Sequence, residues 1–417
     1  MKQTVAILCS LDTKGREAAF LEKRVCDAGL DVFLIDLTTR GGSGAPAHAG
    51  IKEILSAAGL SEQDARAFSK RDWIEAVRGG LALLLPRLYA QRKFHAALAV
   101  GGLQNTWMAT GGLRELPVGV PKVMLSTVAC GLRHMEPFVG NKDVTLMHAV
   151  ADLSGLNPVT EIVLANAAAA VIGMLRFGGP TLPEARTPMV GISAMGVVGG
   201  CSERVIRLLG QAGHSVVAFH STGGGGRSLE EMIASGQIVA AVELSLHELI
   251  CADVFHEGYA LGAPGRLLSG AAAGIPMVVM PGGLDFIDYS AEEFRRRVDE
   301  WQGRGYLFHN AEVVHIKCSA DEACAAASVV AERLNQSRGP VCVLLPLRGL
   351  RSDTGPGEAL HDPAVDAALF EVLRAALNSR IRVVEIDANI NDAAVSDAVV
   401  RELNALLAAR GAYAGEL

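Results

Sequence analysis

The sequence has no excess of positive charge, which most proteins that bind nucleic acids carry. Its 38 Lys and Arg residues are outnumbered by 45 Asp and Glu residues, so the formal net charge is −7 at pH 7. Nucleic-acid backbones are bound mainly through a positive field of Lys and Arg side chains. The composition therefore argues against nucleic acid as a partner.

The cysteines lack the spacing of a disulfide or zinc framework. Eight cysteines are scattered along 417 residues, several of them inside apolar runs, and no Cys-x-x-Cys pair or evident Cys/His cluster stands out in the sequence. Structural zinc sites usually show such pairs. We therefore expect no zinc site, reduced thiols and a cytoplasmic location.

Signals for secretion, membrane insertion and dinucleotide binding are also missing. The first 15 residues become too polar after Leu11 for a signal peptide, and the apolar run 165–175 is shorter than a membrane span. No G-x-G-x-x-G follows the first predicted strand, and GISAMGVV (191–198) lacks the Gly-Lys-Ser/Thr ending of a Walker A loop. A membrane protein and a nicotinamide-dependent oxidoreductase are both disfavoured.

What the sequence does contain is a regular alternation of apolar strands and amphipathic helices. VAILCS (5–10) is followed by a helical pattern ending at Gly29, and DVFLID (31–36) is the next strand. Continuous apolar strands separated by helices indicate parallel sheets that helices cover on both faces. The predicted fold is α/β, with two Rossmann-like halves and mostly parallel sheets.

A faint internal repeat supports the division into two halves. Residues 19–36 and 201–220 share a helix, an Ala-Gly stop and a buried strand. The Gly- and Pro-rich segment 177–188 has the composition of a linker. We predict an N-terminal α/β domain at 1–182 and a C-terminal α/β domain at 183–417.

Several predicted strands end in polar or glycine-rich loops, where parallel sheets bind their ligands. The longest glycine run, Gly223 to Gly226, lies between a strand and a helix start and is followed by Arg227. Bare backbone at a helix N-terminus lets several N–H groups converge on a phosphate. We predict a phosphate cradle here; a flexible surface loop is the alternative.

Four single residues at such loops are weaker candidates. Lys14 could reach a phosphate or be an exposed helix-start lysine, and His220 could be a base or a structural histidine. Asp285 could hold magnesium through water or serve as a turn residue, and Arg348, after an apolar strand, is predicted to bind an anion. Lys14, His220 and Asp285 are the candidate catalytic residues.

The chain resembles the Tm-1-like ATP-binding proteins, bacterial homologues of the amino-terminal region of the tomato mosaic virus resistance protein Tm-1. The similarity covers almost the whole chain in order. The motifs that carry it are LDTKGREAAFL (11–21), GVPKVMLSTVA (119–129), VGNKDVTLM (139–147), LSGLN (153–157), LANAAAAVIGM (164–174), FHSTGGGGRSLEEMI (219–233), VVMPGGLDF (278–286), GPVCVLLPLRG (339–349) and HDPAVDAALF (361–370).

The resemblance implies ATP, with magnesium, bound at strand-end loops between two halves, a homodimer, and a TIM-barrel protein as a partner. The residues it points to are Asp12, Thr13, Lys14, Gly101, Gly102, Ser126, Thr127, Thr222, Gly223, Gly224, Gly225, Gly226 and Arg227; Arg348 joins them as a predicted anion contact.

The chain departs from the family pattern at three loops. Leu103 stands where a serine is frequent, Gly224 replaces a hydroxyl residue, and ELSLHELICAD (243–253), with Ser245 and His247, replaces a threonine-rich stretch. Loss of hydroxyl groups could alter metal binding, substrate choice or nucleotide affinity.

Two functions remain open at this point. The first is an ATP-dependent enzyme that activates an unidentified small-molecule substrate by phosphoryl or adenylyl transfer. The second is a non-catalytic, nucleotide-dependent binding module that dimerises and engages a protein such as the TIM-barrel partner. No motif identifies a reaction, so ATP binding is the shared prediction.

Overall fold

The computed structural model describes residues 2–38, 46–65, 67–131, 134–181 and 188–414. The chain forms two compact units, Met1–Arg186 and Thr187–Leu417. The predicted boundary between residues 182 and 183 lies outside the described residues. The predicted α/β class with mostly parallel sheets is confirmed in both units.

The first unit is a five-stranded parallel sheet with helices on both faces. Its strand order is β2-β1-β3-β4-β5. The strands are β1 Thr4–Cys9, β2 Asp31–Asp36, β3 Ala96–Gly101, β4 Lys122–Ser126 and β5 Thr145–His148. The helices are α1 Leu11–Asp27, α2 Ile51–Ala57, α3 Glu62–Ala65, α4 Lys70–Ala90, α5 Leu103–Leu113, α6 Glu136–Val139 and α7 Pro158–Phe177.

Strand β1 shows why the apolar strands of this sequence are continuous rather than alternating. Val5, Ile7 and Cys9 pack into the cluster under α1 and α7, whereas Ala6 and Leu8 pack into the opposite cluster under α2, α4 and α5. Successive side chains of a strand point to opposite faces, so a sheet buried on both faces needs an apolar residue at every position.

Helix α7 corrects one prediction from the sequence. The apolar run 165–175 is part of a 20-residue helix whose length and mean hydropathy of 1.7 would suffice to cross a membrane. Leu164, Ala167, Ala168 and Val171 pack into the core of the first unit. The length of this helix therefore does not exclude a membrane span. Its buried residues nevertheless pack as those of a core helix do.

The second unit combines a six-stranded parallel sheet with a small antiparallel one. Their strand orders are β14-β13-β9-β8-β6-β7 and β10-β12-β11. The strands are β6 Met189–Ala194, β7 Ser215–His220, β8 Ile238–Glu243, β9 Met277–Val279, β10 Phe286–Ser290, β11 Tyr306–Phe308, β12 Val313–Lys317, β13 Val341–Pro346 and β14 Arg382–Ile386. The helices are α8 Gly199–Gln211, α9 Gly224–Ala234, α10 His247–Leu249, α11 Leu268–Ala273, α12 Ala291–Arg296, α13 Ala320–Asn335, α14 Pro363–Ala376 and α15 Ala393–Ala414.

Candidate functional site

Each parallel sheet has one point where the chain changes its direction of winding. In the first unit β1 lies between β2 and β3, and in the second unit β6 lies between β7 and β8. The loops after two such neighbouring strands diverge to opposite faces and leave a crevice at the carboxyl edge, where doubly wound proteins bind ligands. The loops after β1 and β3, and after β6 and β8, are therefore the candidate sites.

In the first unit the two loops at this crevice are joined by a side-chain hydrogen bond. Ser10 Oγ, after β1, donates to Asn105 Oδ1 in the first turn of α5 at 2.9 Å. A Cβ on Gly101 would lie 2.4 Å from Asn105 Cβ, so glycine is required for this approach. Among the described residues, a Cβ on Gly102 would meet only Thr127 Oγ1, at 3.6 Å. Gly102 thus leaves open space before the eleven-residue helix α5.

The loop after β1 is held in place by the end of β2. Asp36 Oδ1, in a buried side chain, accepts hydrogen bonds from Leu11 N at 3.0 Å and from Thr38 Oγ1 at 2.6 Å. Thr38 Oγ1 in turn lies 3.2 Å from Asp12 N, which donates to it. Asp12 and Thr13 are exposed and Lys14 is half-buried. The structure therefore brings Asp12, Thr13, Lys14 and Gly102 to the same edge of the sheet.

Ser126 differs from its predicted role. Its side chain is fully buried, its Oγ lies 2.6 Å from Thr106 Oγ1, and it accepts a hydrogen bond from Val128 N. The hydroxyl therefore shapes the loop after β4 and has no free path to a ligand. Thr127, half-buried beside Gly102, is the residue of this pair that reaches the crevice.

The glycine run of the second unit already has an anion at its backbone. Glu248 Oε1 accepts hydrogen bonds from Gly223 N at 2.7 Å and from Gly226 N at 2.9 Å. A Cβ on Gly226 would lie 1.8 Å from Glu248 Oε2, and one on Gly225 would lie 2.0 Å from His220 O. The predicted phosphate cradle is corrected here: the start of α9 attracts an anion, and the protein supplies a carboxylate of its own.

The remaining residues of this loop are also partly engaged. Arg227 Nε donates to Gly262 O at 2.8 Å, so its guanidinium binds backbone where an anion contact was predicted. Thr222 is half-buried, its N donating to His220 O. Gly224 is exposed, and a Cβ on it would meet nothing within 4 Å.

The glycines of this loop should therefore respond unequally to substitution. Gly224→Ala is expected to raise the free energy of unfolding by about 0.5–1 kcal/mol, because alanine loses less backbone entropy in a helix. Gly225→Ala is expected to lower it by about 1–3 kcal/mol, because its Cβ meets the His220 backbone. Urea unfolding measures both; equal effects of the two substitutions would contradict a packing role for Gly225.

Glu248 belongs to a buried charge network around Arg266. The guanidinium of Arg266 is fully buried. Its Nη2 lies 2.5 Å from Glu243 Oε2, and its Nε lies 3.3 Å from Glu248 Oε2 and 3.8 Å from Glu230 Oε1. Burial raises the pKa of Glu248 and of Glu230, and Arg266 opposes that rise. This network connects the glycine run to the end of β8 and to α11, whose start Glu230 caps at Ser269 N.

At the crevice of the second unit, the loop after β6 was not among the predicted site residues. A short 3₁₀ helix, Gly196–Val198, leads into α8, and a Cβ on Gly196 or on Gly199 would meet nothing within 4 Å. Asn391 caps this start: its Oδ1 accepts from Cys201 N and its Nδ2 donates to Val197 O. The incomplete Walker pattern was the only sequence signal for this loop.

Three other predicted residues have local partners. Asp285 is fully buried, and its Oδ2 lies 2.8 Å from Lys317 Nζ, so it is an ion-pair residue without access to a substrate or a hydrated magnesium ion. Arg348 forms an exposed ion pair with Asp387 at 2.6 Å, and its predicted anion contact stays a prediction. His220 is exposed beside the glycine run, with Nδ1 3.2 Å from Ala194 O.

The fold and these loops define a protein of two tandem, doubly wound α/β units with glycine at the strand ends. The chain belongs to the uncharacterised protein family UPF0261. The model of the N-terminal domain of this family matches residues 3–179, and that of the C-terminal domain matches residues 187–407. The predicted family membership is thereby confirmed.

Similar proteins occur in bacteria and in tomato. A UPF0261 protein of Clostridium tetani is 32% identical, over 97% of this chain and 98% of its own length. A UPF0261 protein of Rhizobium meliloti is also 32% identical, over 95% of this chain. The tomato ToMV resistance protein Tm-1(GCR237) is 29% identical over 84% of this chain, which spans 47% of the tomato protein.

Solved structures share only a distant likeness with the chain. MurG of Acinetobacter baumannii covers 97% of it with 11% sequence identity and a TM-score of 0.23. A putative UDP-N-acetylglucosamine 2-epimerase of Listeria monocytogenes covers 67% with 9% identity and a TM-score of 0.24. Likenesses this weak carry no argument about function.

Proposed function

We propose that the protein binds ATP at the carboxyl edge of the first unit's sheet, with the phosphates on Gly102 and the start of α5. The observation that carries this proposal is the open backbone of Gly102 at the crevice between the loops after β1 and β3. A glycine at this position lets phosphate oxygens approach the N–H groups of a helix start, whose dipole favours negative charge.

The first turn of α1, directly after β1, supplies complementary chemistry. Lys14 is half-buried and carries the positive charge suited to a phosphate. Asp12 offers an exposed carboxylate, the ligand type that magnesium prefers, and magnesium would bridge the phosphate oxygens when bound. Thr13 and Thr127 add hydroxyl groups near the same edge. These residues fit a magnesium nucleotide better than the glycine run of the second unit does.

ATP binding is expected to raise the melting temperature of the protein. A ligand at about 100 times its dissociation constant adds about 2.7 kcal/mol to the free energy of unfolding. A thermal-shift titration with ATP, ADP, AMP and NAD, each with and without magnesium, measures this. The absence of any shift with ATP would overturn the proposal.

Two matched glycine-to-alanine substitutions test where the phosphates of ATP bind. Gly102→Ala is expected to weaken ATP binding at least about tenfold, or about 1.4 kcal/mol, because its Cβ occupies the space of the closest phosphate oxygen. Gly224→Ala, the same change at the open glycine of the second unit, is the control and should bind ATP as the wild type does. Calorimetry on both variants decides; normal binding by Gly102→Ala would remove the phosphates from α5.

Whether the protein consumes ATP distinguishes a catalytic function from partner binding. Burial of Asp285 removes one of the three candidate catalytic residues and leaves Lys14 and His220. Consumption of ATP in the presence of candidate small molecules would favour an enzyme. Tight binding without consumption would favour the nucleotide-dependent module that dimerises and engages a protein partner such as a TIM barrel.

A further inference from the structure

Three buried side chains with different metal-binding atoms meet in the second unit. His247 begins α10, Cys251 follows one turn later in the π-helical segment Ile250–Phe255, and Asp288 lies in β10. All three are buried, and their ligand atoms lie within 4.8 Å of one another. A thiol, an imidazole and a carboxylate in one place form a common donor set for transition metals.

The distances between these atoms fit the edges of a coordination polyhedron. His247 Nε2 lies 3.0 Å from Asp288 Oδ1 and 3.7 Å from Cys251 Sγ, and Sγ lies 3.9 Å from Oδ1. Ligand atoms at zinc bond lengths of about 2.0–2.3 Å are about 3.3–3.8 Å apart in a tetrahedron. The three atoms thus need to move by only a few tenths of an ångström to share one ion.

A backbone carbonyl and an aromatic ring fix the orientation of the histidine. His247 Nδ1 lies 3.1 Å from Gly283 O, so an Nδ1–H can donate there and leave the Nε2 lone pair directed at Asp288 and Cys251. The ring also stacks on Phe286, with centroids 3.9 Å apart and an interplanar angle of 7°. Such an outer hydrogen bond fixes the tautomer and orientation of metal-bound histidines.

The aspartate is oriented in the same way. Tyr259 N donates to Asp288 Oδ1 at 3.1 Å, which fixes the carboxylate through the backbone. A bound carboxylate and a thiolate would together balance the two charges of a divalent ion, so the buried site would be neutral. Sulfur and nitrogen donors favour zinc over magnesium or calcium, which take oxygen ligands.

We propose that His247, Cys251 and Asp288 bind one zinc ion, with a water molecule in the fourth position. The site is separate from the magnesium that would accompany ATP in the first unit, and it does not depend on the proposed nucleotide binding. It differs from the expectation, drawn from the cysteine spacing, that the chain has no zinc site. Three protein ligands and a water are the arrangement of zinc ions that take part in chemistry.

The site is tested by producing the protein in minimal medium supplied with zinc or with cobalt(II). The metal is then present while the chain folds and does not have to enter a site that is already buried. Zinc-grown protein is expected to contain about one zinc ion per chain by elemental analysis. Cobalt-grown protein should show the visible bands of tetrahedral cobalt(II) and a near-ultraviolet thiolate-to-cobalt charge-transfer band. Metal-free wild-type protein, or cobalt without a thiolate band, would overturn the proposal.

Matched variants assign the ligands. Cys251→Ser should abolish the thiolate band and lower the metal content at least about tenfold, whereas Cys201→Ser, at another buried free cysteine, should change neither. Asp288→Asn keeps the shape of the side chain and should lower the metal content while residual cobalt keeps its thiolate band. Retention of the band in Cys251→Ser would overturn the assignment; if that variant does not fold, full metal content in Asp288→Asn would do so.

Discussion

Replacement of Arg266 by Met is expected to lower the free energy of unfolding by about 3–5 kcal/mol. The guanidinium is fully buried among Glu230, Glu243 and Glu248, and its loss leaves three carboxylates without their cation. Removal of one member of a buried ion pair is costly because an uncompensated charge stays in a medium of low polarity. Urea unfolding with linear extrapolation measures the loss.

The exposed ion pair of Arg348 and Asp387 provides the control. Their side chains are 60% and 71% exposed, so Arg348→Met should change stability by less than about 1 kcal/mol. The deficit of Arg266→Met should also shrink as the pH falls toward 5, because Glu248 and Glu230, whose pKa values burial already raises, take up protons and then need no cation. Equal losses for the two arginine variants would contradict this account.

The second large effect concerns the pH dependence of stability. Lys317 Nζ lies 2.8 Å from Asp285 Oδ2 and 2.9 Å from Asp366 Oδ1, so one buried ammonium serves two buried carboxylates. Burial, and then the neighbouring Asp285, raise the pKa of Asp366 to about 6, although Lys317 opposes the rise. Between pH 4 and 6 the folded protein therefore holds a proton on Asp366 that the unfolded chain has lost.

Since Asp366 binds more protons in the folded state than in the unfolded chain over this range, its own contribution to stability falls as the pH rises. The contribution of Asp366 to the fall is up to about 3 kcal/mol, from a difference of about two pKa units. Asp366→Asn should remove this contribution and become more stable relative to the wild type as the pH rises from 4 to 7. Urea unfolding at several pH values measures the difference.

A carboxylate at the surface serves as the control for this comparison. Asp397 is 50% exposed and pairs with Arg204, so Asp397→Asn should change stability by less than about 1 kcal/mol at each pH. A constant difference between Asp366→Asn and the wild type across the range would show that Asp366 titrates in the folded protein as it does in the unfolded chain.

Local patterns predicted those features that depend on residues close together in the chain. The apolar residues of β1 indicated burial on both faces, and Val5 and Ala6 do pack into opposite clusters. An Asp before a Pro, as at Asp362 and Pro363, is typical of a helix start, and Asp362 Oδ1 accepts hydrogen bonds from two backbone N–H groups of α14. Hydrophobic periodicity and helix capping depend on residues a few positions apart, so both can be recognised without knowledge of the fold.

Features that need a distant partner were missed or misassigned. The glycine run was correctly seen as bare backbone facing an anion, but the anion is Glu248, which lies in α10. Asp285 does lie in the loop after β9, but its buried carboxylate pairs with Lys317 of β12. The cysteine spacing did not indicate the cluster of His247, Cys251 and Asp288. Asp288 lies in β10 of the antiparallel sheet, far along the chain from the other two residues.

The sequence by itself determined the α/β class, the mostly parallel sheets and membership of the family, because these follow from periodicity, glycine and cap positions, and long matching motifs. Only the tertiary structure decided which groups meet at the loops. A helix start attracts any anion, and a buried carboxylate accepts any suitable cation. Which partner binds depends on how segments far apart in the chain pack together. For Gly223 and Gly226, that packing brings Glu248 to their backbone N–H groups.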